Sequence, residues 1–166
     1  LYTAAAGIDP AMAIPVSLDF GTDNEPLLKD PEYLGWPTRR IRGAEYLELV
    51  DEFVAAVRAV IPRAIVQWED FRKDNALTIL DRYSGVLPSF NDDIQGTGAV
   101  VVAGLNSALT IKGERLAQQR IVIFGAGAAG LGVTRQIKAQ LADEGIRGEN
   151  QSAVIAVLDR SGLLVD

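Results

Sequence analysis

The sequence predicts an α/β fold built on parallel strands, and three observations carry that prediction. Short β-branched runs alternate with amphipathic segments along the 166 residues. The later runs are almost continuously apolar, the pattern of strands covered on both faces. A glycine-rich turn directly follows one of them and leads into a helical pattern.

The first strand is expected at residues 13–20 (AIPVSLDF), followed by a long ordered loop at 21–42, where Pro26, Pro31, Gly35 and Pro37 stand among many charges. Tyr46, Leu49, Val50, Phe53, Val57, Val60 and Ile61 then recur at helical spacing, which predicts a crossover helix with one buried stripe. Residues 64–68 (AIVQW) read as the second strand and 87–90 as a shorter one. The helix expected after Gln95, through 99–109, is apolar nearly all round and rich in small residues, so it should lie buried between layers. Residues 120–124 (RIVIF) supply the next strand. A helix follows from about 128 to 144, with Leu131, Thr134, Ile137 and Leu141 on one face and Gly145 as its stop. After a polar loop at 147–152, residues 153–158 (AVIAVL) form the last strand. A domain boundary is expected near Ile94, dividing residues 1–93 from 94–166.

Composition narrows the function. The formal net charge is −6 and basic residues gather only at Arg39, Arg40 and Arg42, a field that repels nucleic acid and acidic lipid. No run of eighteen uncharged apolar residues and no secretory signal pattern occurs, so neither a membrane nor nucleic acid is expected as a partner, and the expected location is cytoplasmic or an organelle matrix. The start at Leu1 without Met and the stop at Asp166, just after a strand, are expected of an internal fragment. With no Cys and no His, thiolate chemistry and imidazole catalysis are excluded, and any metal must sit on oxygen.

Gly125-Ala126-Gly127-Ala128-Ala129-Gly130 stands between the strand at 120–124 and a helix, the setting in which G-x-G-x-x-G marks a Rossmann-type dinucleotide site. Gly125 allows the turn, Gly127 lets a pyrophosphate approach the backbone, and Gly130 lets the helix pack close. The helix N-terminus adds free N–H groups and a partial positive charge. Asp159 closes the next strand, where a carboxylate can accept from ribose hydroxyls, although its distance from the glycines exceeds the usual span of about 20 residues. Asp159 disfavours a 2′-phosphate and Arg160 favours one, so both NAD and NADP stay open.

Two acidic pairs, Glu69-Asp70 and Asp92-Asp93, each follow an apolar run. In a parallel sheet the carboxyl ends of the strands share one edge, so the pairs can converge. Two like charges about 5 Å apart repel by roughly 3 kcal/mol at an effective dielectric near 20. Carboxylates gathered there need a cation or a proton, and oxygen-only ligation favours Mg²⁺ or Mn²⁺. Helix capping by Asp92-Asp93 is the competing reading.

Several phrases resemble the malic enzymes: Leu1-Tyr2-Thr3-Ala4, Leu18-Asp19-Phe20-Gly21-Thr22, Trp68-Glu69-Asp70-Phe71 with Asn75-Ala76, and above all Phe90-Asn91-Asp92-Asp93-Ile94-Gln95-Gly96-Thr97. The resemblance implies a catalytic-domain segment followed by the first half of a Rossmann dinucleotide-binding domain. It implies Glu69, Asp70 and Asp93 as ligands of Mg²⁺ or Mn²⁺, and Asp92 as the support of a general-base lysine. It also implies Gly125, Ala126, Gly127, Ala128, Gly130 and Asp159, with Asp93, as contacts of NAD or NADP. Lys73 stands where relatives often carry an amide and reads as a solvated side chain. The activity implied is oxidation and decarboxylation of L-malate to pyruvate in a homo-oligomeric parent. The base lysine and the acid tyrosine of that chemistry are expected upstream of Leu1, which leaves these residues inactive by themselves. Two alternatives remain: a metal-independent Rossmann dehydrogenase, and a non-catalytic nucleotide-binding module.

Overall fold

A computed structural model describes residues 2–164, so Leu1, Val165 and Asp166 lie outside the described residues. The chain divides into two units, Leu1–Pro62 and Arg63–Asp166.

In the first unit, α1 (Tyr2–Ala6) and a short 3₁₀ turn (Pro10–Met12) precede an irregular stretch, α2 (Glu25–Leu28) and the long α3 (Gly43–Val60). The strand expected at 13–20 does not form. Pro15 lacks a donor, and Ile14 and Val16 are exposed with no strand paired to them, so the run has no edge on which to lie. Without that strand α3 is not a crossover. Its buried residues are Tyr46, Val50 and Val54, while Leu49, Val60 and Ile61 of the expected stripe are exposed. The stripe is rotated toward a single i, i+4, i+8 row.

The loop at 21–42 is ordered from one side chain. Asp19 accepts from the Gly21 N–H through Oδ1 at 2.9 Å and from the Trp36 N–H through Oδ2 at 2.5 Å. Those two bonds, the Trp36 N–H first, hold its carboxyl below the ordinary carboxylate range. The Thr22 N–H reaches the Thr38 carbonyl at 2.8 Å, and Arg39–Glu25 and Arg42–Asp23 ion pairs brace the loop from outside.

The second unit holds the parallel pairs that the sequence predicts. β1 (Val66–Trp68) and β2 (Ser89–Asn91) run parallel in register, Trp68 opposite Asn91. They are joined by α4 (Lys73–Tyr83), a helix the periodicity reading passed over although Ala76, Ile79 and Tyr83 are its buried face. Trp68 is 2% exposed and packs between Tyr83 and Phe71. A wide turn, Asp92–Gly96, leads into α5 (Thr97–Lys112). β3 (Ile121–Phe124) and β4 (Ile155–Asp159) pair in parallel through α6 (Ala128–Asp143) and a short α7 (Glu149–Ser152), and β5 (Gly162–Leu164) adds an antiparallel edge. The polar loop expected at 147–152 is thus largely helical. It is pinned by Gln151, whose Nε2 donates to the Lys138 and Ile146 carbonyls at 2.8 and 3.0 Å.

The core joins Val102, Leu109, Leu116, Val133, Ile137, Leu141, Val154 and Ile155. α5 and α6 are further tied by a double hydrogen bond between the Asn106 and Gln140 side chains, 2.7 and 3.2 Å. Two burial expectations fail. Only one face of α5 is covered, leaving Val100, Val101 and Ile111 exposed, and β3 is covered on one face, with Phe124 89% exposed on the other. By length and composition the 21-residue stretch Asp92–Lys112 is apolar enough to cross a membrane; Val102 and Leu109 within it belong to the core, and a core helix meets the same measure.

Leu141 is completely buried, so Leu141→Ala should lower the unfolding free energy by about 2–5 kcal/mol in urea titration, leaving the midpoint change of Val100→Ala, at an exposed site, small by comparison.

Candidate functional site

Parallel pairing puts the ends of β1 and β2 side by side. Because Trp68 faces Asn91 in register, the next residues of each strand, Glu69-Asp70 and Asp92-Asp93, leave the same edge. There the Asp70 backbone N–H donates to Asp93 Oδ2 at 2.9 Å. To make that bond Asp70 takes φ +59°, the one positive φ outside glycine among the described residues. Asp tolerates this region better than most side chains, and such strain is characteristic of functional segments.

Asp92 and Asp93 sit on a turn wider than an α-helix: the Thr97 N–H reaches the Asp92 carbonyl five residues back. Asn91, fully buried, fixes the turn by accepting from the Ile94 N–H through Oδ1 at 2.9 Å, while Gln95 Oε1 accepts from the Asn91 N–H at 2.9 Å. The capping competitor is thereby answered in part, since the side chain bonding the first turn is Asn91 rather than either aspartate. Neither Asn91 nor Gln95 drew attention on spacing. Asn91 is a polar side chain too buried for a loop, and Gln95 is an exposed one that folds back on the strand end; no linear pattern displays either.

The electrostatics follow from this crowding. Burial raises the Asp92 carboxyl above its ordinary range, and the charges of Glu69 and then Asp93 push it the same way. Asp92 lines a cleft of about 270 Å³ with Gly96, Thr97, Val100 and Val101. A Cβ on Gly96 would meet Asp92 Oδ1 at 2.2 Å, so the carboxylate lies against bare backbone. Glu69 is exposed and takes a hydrogen bond from the Gln67 amide. Among the described residues no group of three acidic side chains closes on a single point as a metal cage does. The donors nevertheless fit a hard divalent cation in kind: they are all carboxylate oxygens, and the repulsion that raises Asp92 is of the sign a cation relieves.

The second strand pair repeats the arrangement. Phe124 faces Leu158, and the following residues, Gly125 and Asp159, sit at the shared edge, with the Gly125 N–H on the Leu158 carbonyl at 2.7 Å. Gly125 has φ +124°, a conformation closed to L side chains. A Cβ on Gly130 would stand 1.8 Å from the Gly125 carbonyl oxygen, so the first turn of α6 sits directly on the loop. The first intrahelical bond of α6 is Leu131 N–H to Gly127, which leaves the earlier N–H groups of its first turn without an intrahelical partner. Phe124, Gly125, Ala126, Gly127, Asp159 and Arg160 line a cleft of about 390 Å³. Asp159 Oδ1 takes the Ser161 N–H at 2.7 Å, closing the β4–β5 turn and leaving its other oxygen for a ligand. Ala128 opens α6, half-buried, and exposed Lys73 opens α4.

Comparison with known proteins matches two family models in succession: "Malic enzyme, N-terminal domain" over residues 1–84 and "Malic enzyme, NAD binding domain" over residues 94–166. The whole chain is 47% identical to the malolactic enzyme of Leuconostoc mesenteroides and 48% identical to the NAD-dependent malic enzyme of Shewanella baltica, spanning 31% and 30% of their lengths. Among solved structures, a malic enzyme from Entamoeba histolytica superposes with a TM-score of 0.59 at 28% identity over 72% of this chain and 23% of its own. A malic enzyme from Pyrococcus horikoshii gives 0.52 at 34% identity, over 70% and 25%.

Because the Asp92 pKa is raised on folding, the folded state binds that proton more tightly than the unfolded state does. Stability therefore falls as pH climbs from the ordinary carboxylate value to the raised one, and the loss is complete above it. Asp92→Asn should raise the thermal midpoint of the metal-free protein at neutral pH, and calorimetry should find the difference gone near about pH 3.

Proposed function

This chain belongs to the malic enzyme family, and on that premise we propose that the protein carrying it oxidises L-malate with NAD and decarboxylates the product to pyruvate and CO₂, with Mg²⁺ or Mn²⁺. The observation that carries the reading is the Asp70–Asp93 hydrogen bond, which draws the acidic ends of two parallel strands to one edge. On this reading residues 1–93 belong to the metal- and substrate-binding domain and 94–166 to the dinucleotide-binding domain.

Glu69, Asp70 and Asp93 hold the cation. When bound, the cation and the dinucleotide supply Lewis acidity and a hydride acceptor, respectively. The remaining work belongs to the chain. The backbone from Gly125 to Ala128, at the positive end of α6, cradles the pyrophosphate. Asp159 accepts from the ribose hydroxyls with the oxygen not committed to Ser161, which favours NAD over a 2′-phosphorylated dinucleotide. Half-buried Asp92 orients the lysine that takes the malate hydroxyl proton, its carboxylate kept in place against Gly96. That lysine, and the tyrosine that protonates the enol, come from outside these residues.

A second reading is favoured by the 47% identity to a malolactic enzyme: the same site delivers lactate in place of pyruvate. Product analysis separates the two, since the first releases NADH and pyruvate and the second accumulates lactate without net NADH.

The protein carrying this chain should bind Mn²⁺ saturably, and Asp93→Asn should weaken that binding by about tenfold or more, read by titration against free Mn²⁺ resonance. Equal affinity in both would leave the metal-independent dehydrogenase as the better description. Residues 1–166 by themselves should produce no NADH from malate; any measurable rate would refute the division of labour proposed for the lysine and tyrosine.

A further inference from the structure

A fourth glycine follows the dinucleotide motif, and no feature of that motif accounts for it. Gly132 is buried in the second turn of α6, and a Cβ there would stand 2.0 Å from the Ile94 carbonyl oxygen and 2.7 and 2.8 Å from the Ile94 carbonyl carbon and Cα. These three nearest atoms are all backbone, so no side-chain rotation moves them away. Ordinary contact begins near 3.4 Å, so the helix and the turn would have to part by about 1.4 Å.

Ile94 is the centre of the wide turn that carries Asp92 and Asp93. It is 2% exposed, and its N–H is held by Asn91. The contact is reinforced from the other side by Gly98 in the first turn of α5, whose Cβ would meet the Gly132 carbonyl oxygen at 3.0 Å. Two residues earlier, on another face of α6, Gly130 lies against the Gly125 carbonyl. The start of α6 is therefore pressed bare-backboned against the glycine loop through Gly130 and against the carboxylate turn through Gly132.

From this we propose that Gly132 is a positioning residue that locks the dinucleotide loop and the carboxylate turn into one rigid unit, so that a single substitution there displaces both. The inference rests on the functional reading above, in which the loop takes a dinucleotide and the turn a divalent cation. It adds that the spacing between the two is set by direct helix-to-turn backbone contact rather than by either ligand. Because Asp93 in turn holds the Asp70 N–H, a shift of the turn also carries the end of β1 with it.

The test uses the full-length protein with Gly132→Ala, and Gly104→Ala as control, since nothing lies within 4 Å of a Cβ on Gly104. Mn²⁺ affinity is read by electron paramagnetic resonance and NADH affinity by fluorescence, below the unfolding midpoint of each variant. Gly132→Ala should weaken both ligands about tenfold or more, while Gly104→Ala keeps both at wild-type values. A lowered midpoint with both affinities intact would reduce Gly132 to a packing residue and overturn the proposal, as would the loss of only one ligand. Should Gly132→Ala fail to fold, Gly98→Ala presses on the same contact by a few tenths of an ångström. It should weaken both ligands in the same direction, and wild-type affinities in that variant would defeat the idea. A wild-type protein that binds neither probe defeats the functional reading itself, and this inference with it.

Discussion

The hydrogen bond from the Asp70 backbone N–H to Asp93 Oδ2 joins the chain just beyond β1 to the chain just beyond β2, and the arrangement of the acidic edge depends on it. Register alone brings Glu69 and Asp92 level. It does not decide where the next residue of either strand turns. The bond does so by drawing Asp70 into a positive φ and committing one oxygen of Asp93 to a backbone donor. A carboxylate that accepts from an N–H is held in one orientation, with its second oxygen still available.

This edge is costly to fold. Asp92 is pushed toward its neutral form by burial and by two neighbouring carboxylates, and Asp70 sits in a region that L residues seldom occupy. Both features oppose stability in the absence of a counter-charge, and they persist because the surrounding packing over-determines them. Asn91 and Gln95 clamp the turn from within, and the core centred on Ile137 and Leu141 holds α6 against it from outside. Sites of this kind sacrifice local stability for a fixed array of charge.

The same device appears twice in the second unit. β1–β2 and β3–β4 are both parallel pairs joined through a helix, and both place their chemistry-bearing residues one step past the last paired position. At the first pair the residues are acidic. At the second they are glycine and a single aspartate, which line a cleft at the start of α6 with far less negative charge. α6 serves both edges, beginning at the glycine loop and pressing its second turn on the carboxylate turn.

By itself the sequence determined what depends on neighbours along the chain. Strand-turn-helix at Gly125–Gly130, the β-branched runs that became β1, β3 and β4, the short run at 87–90 that became β2, and the acidic pairs after β1 and β2 were all legible, because periodicity and glycine placement are local properties. The α4 helix carries the same local mark, Ala76, Ile79 and Tyr83 at helical spacing, between the two acidic pairs. The tertiary structure decided what depends on a partner. Residues 13–20 have strand composition and no edge to pair with. α5 and β3 are apolar all round yet covered on one side only. The positive φ of Asp70, the burial of Asn91 and the contact of Gly132 with Ile94 arise where segments distant in sequence meet. A backbone that must make room for another backbone leaves no trace in composition except a glycine, and a glycine does not say what it is making room for.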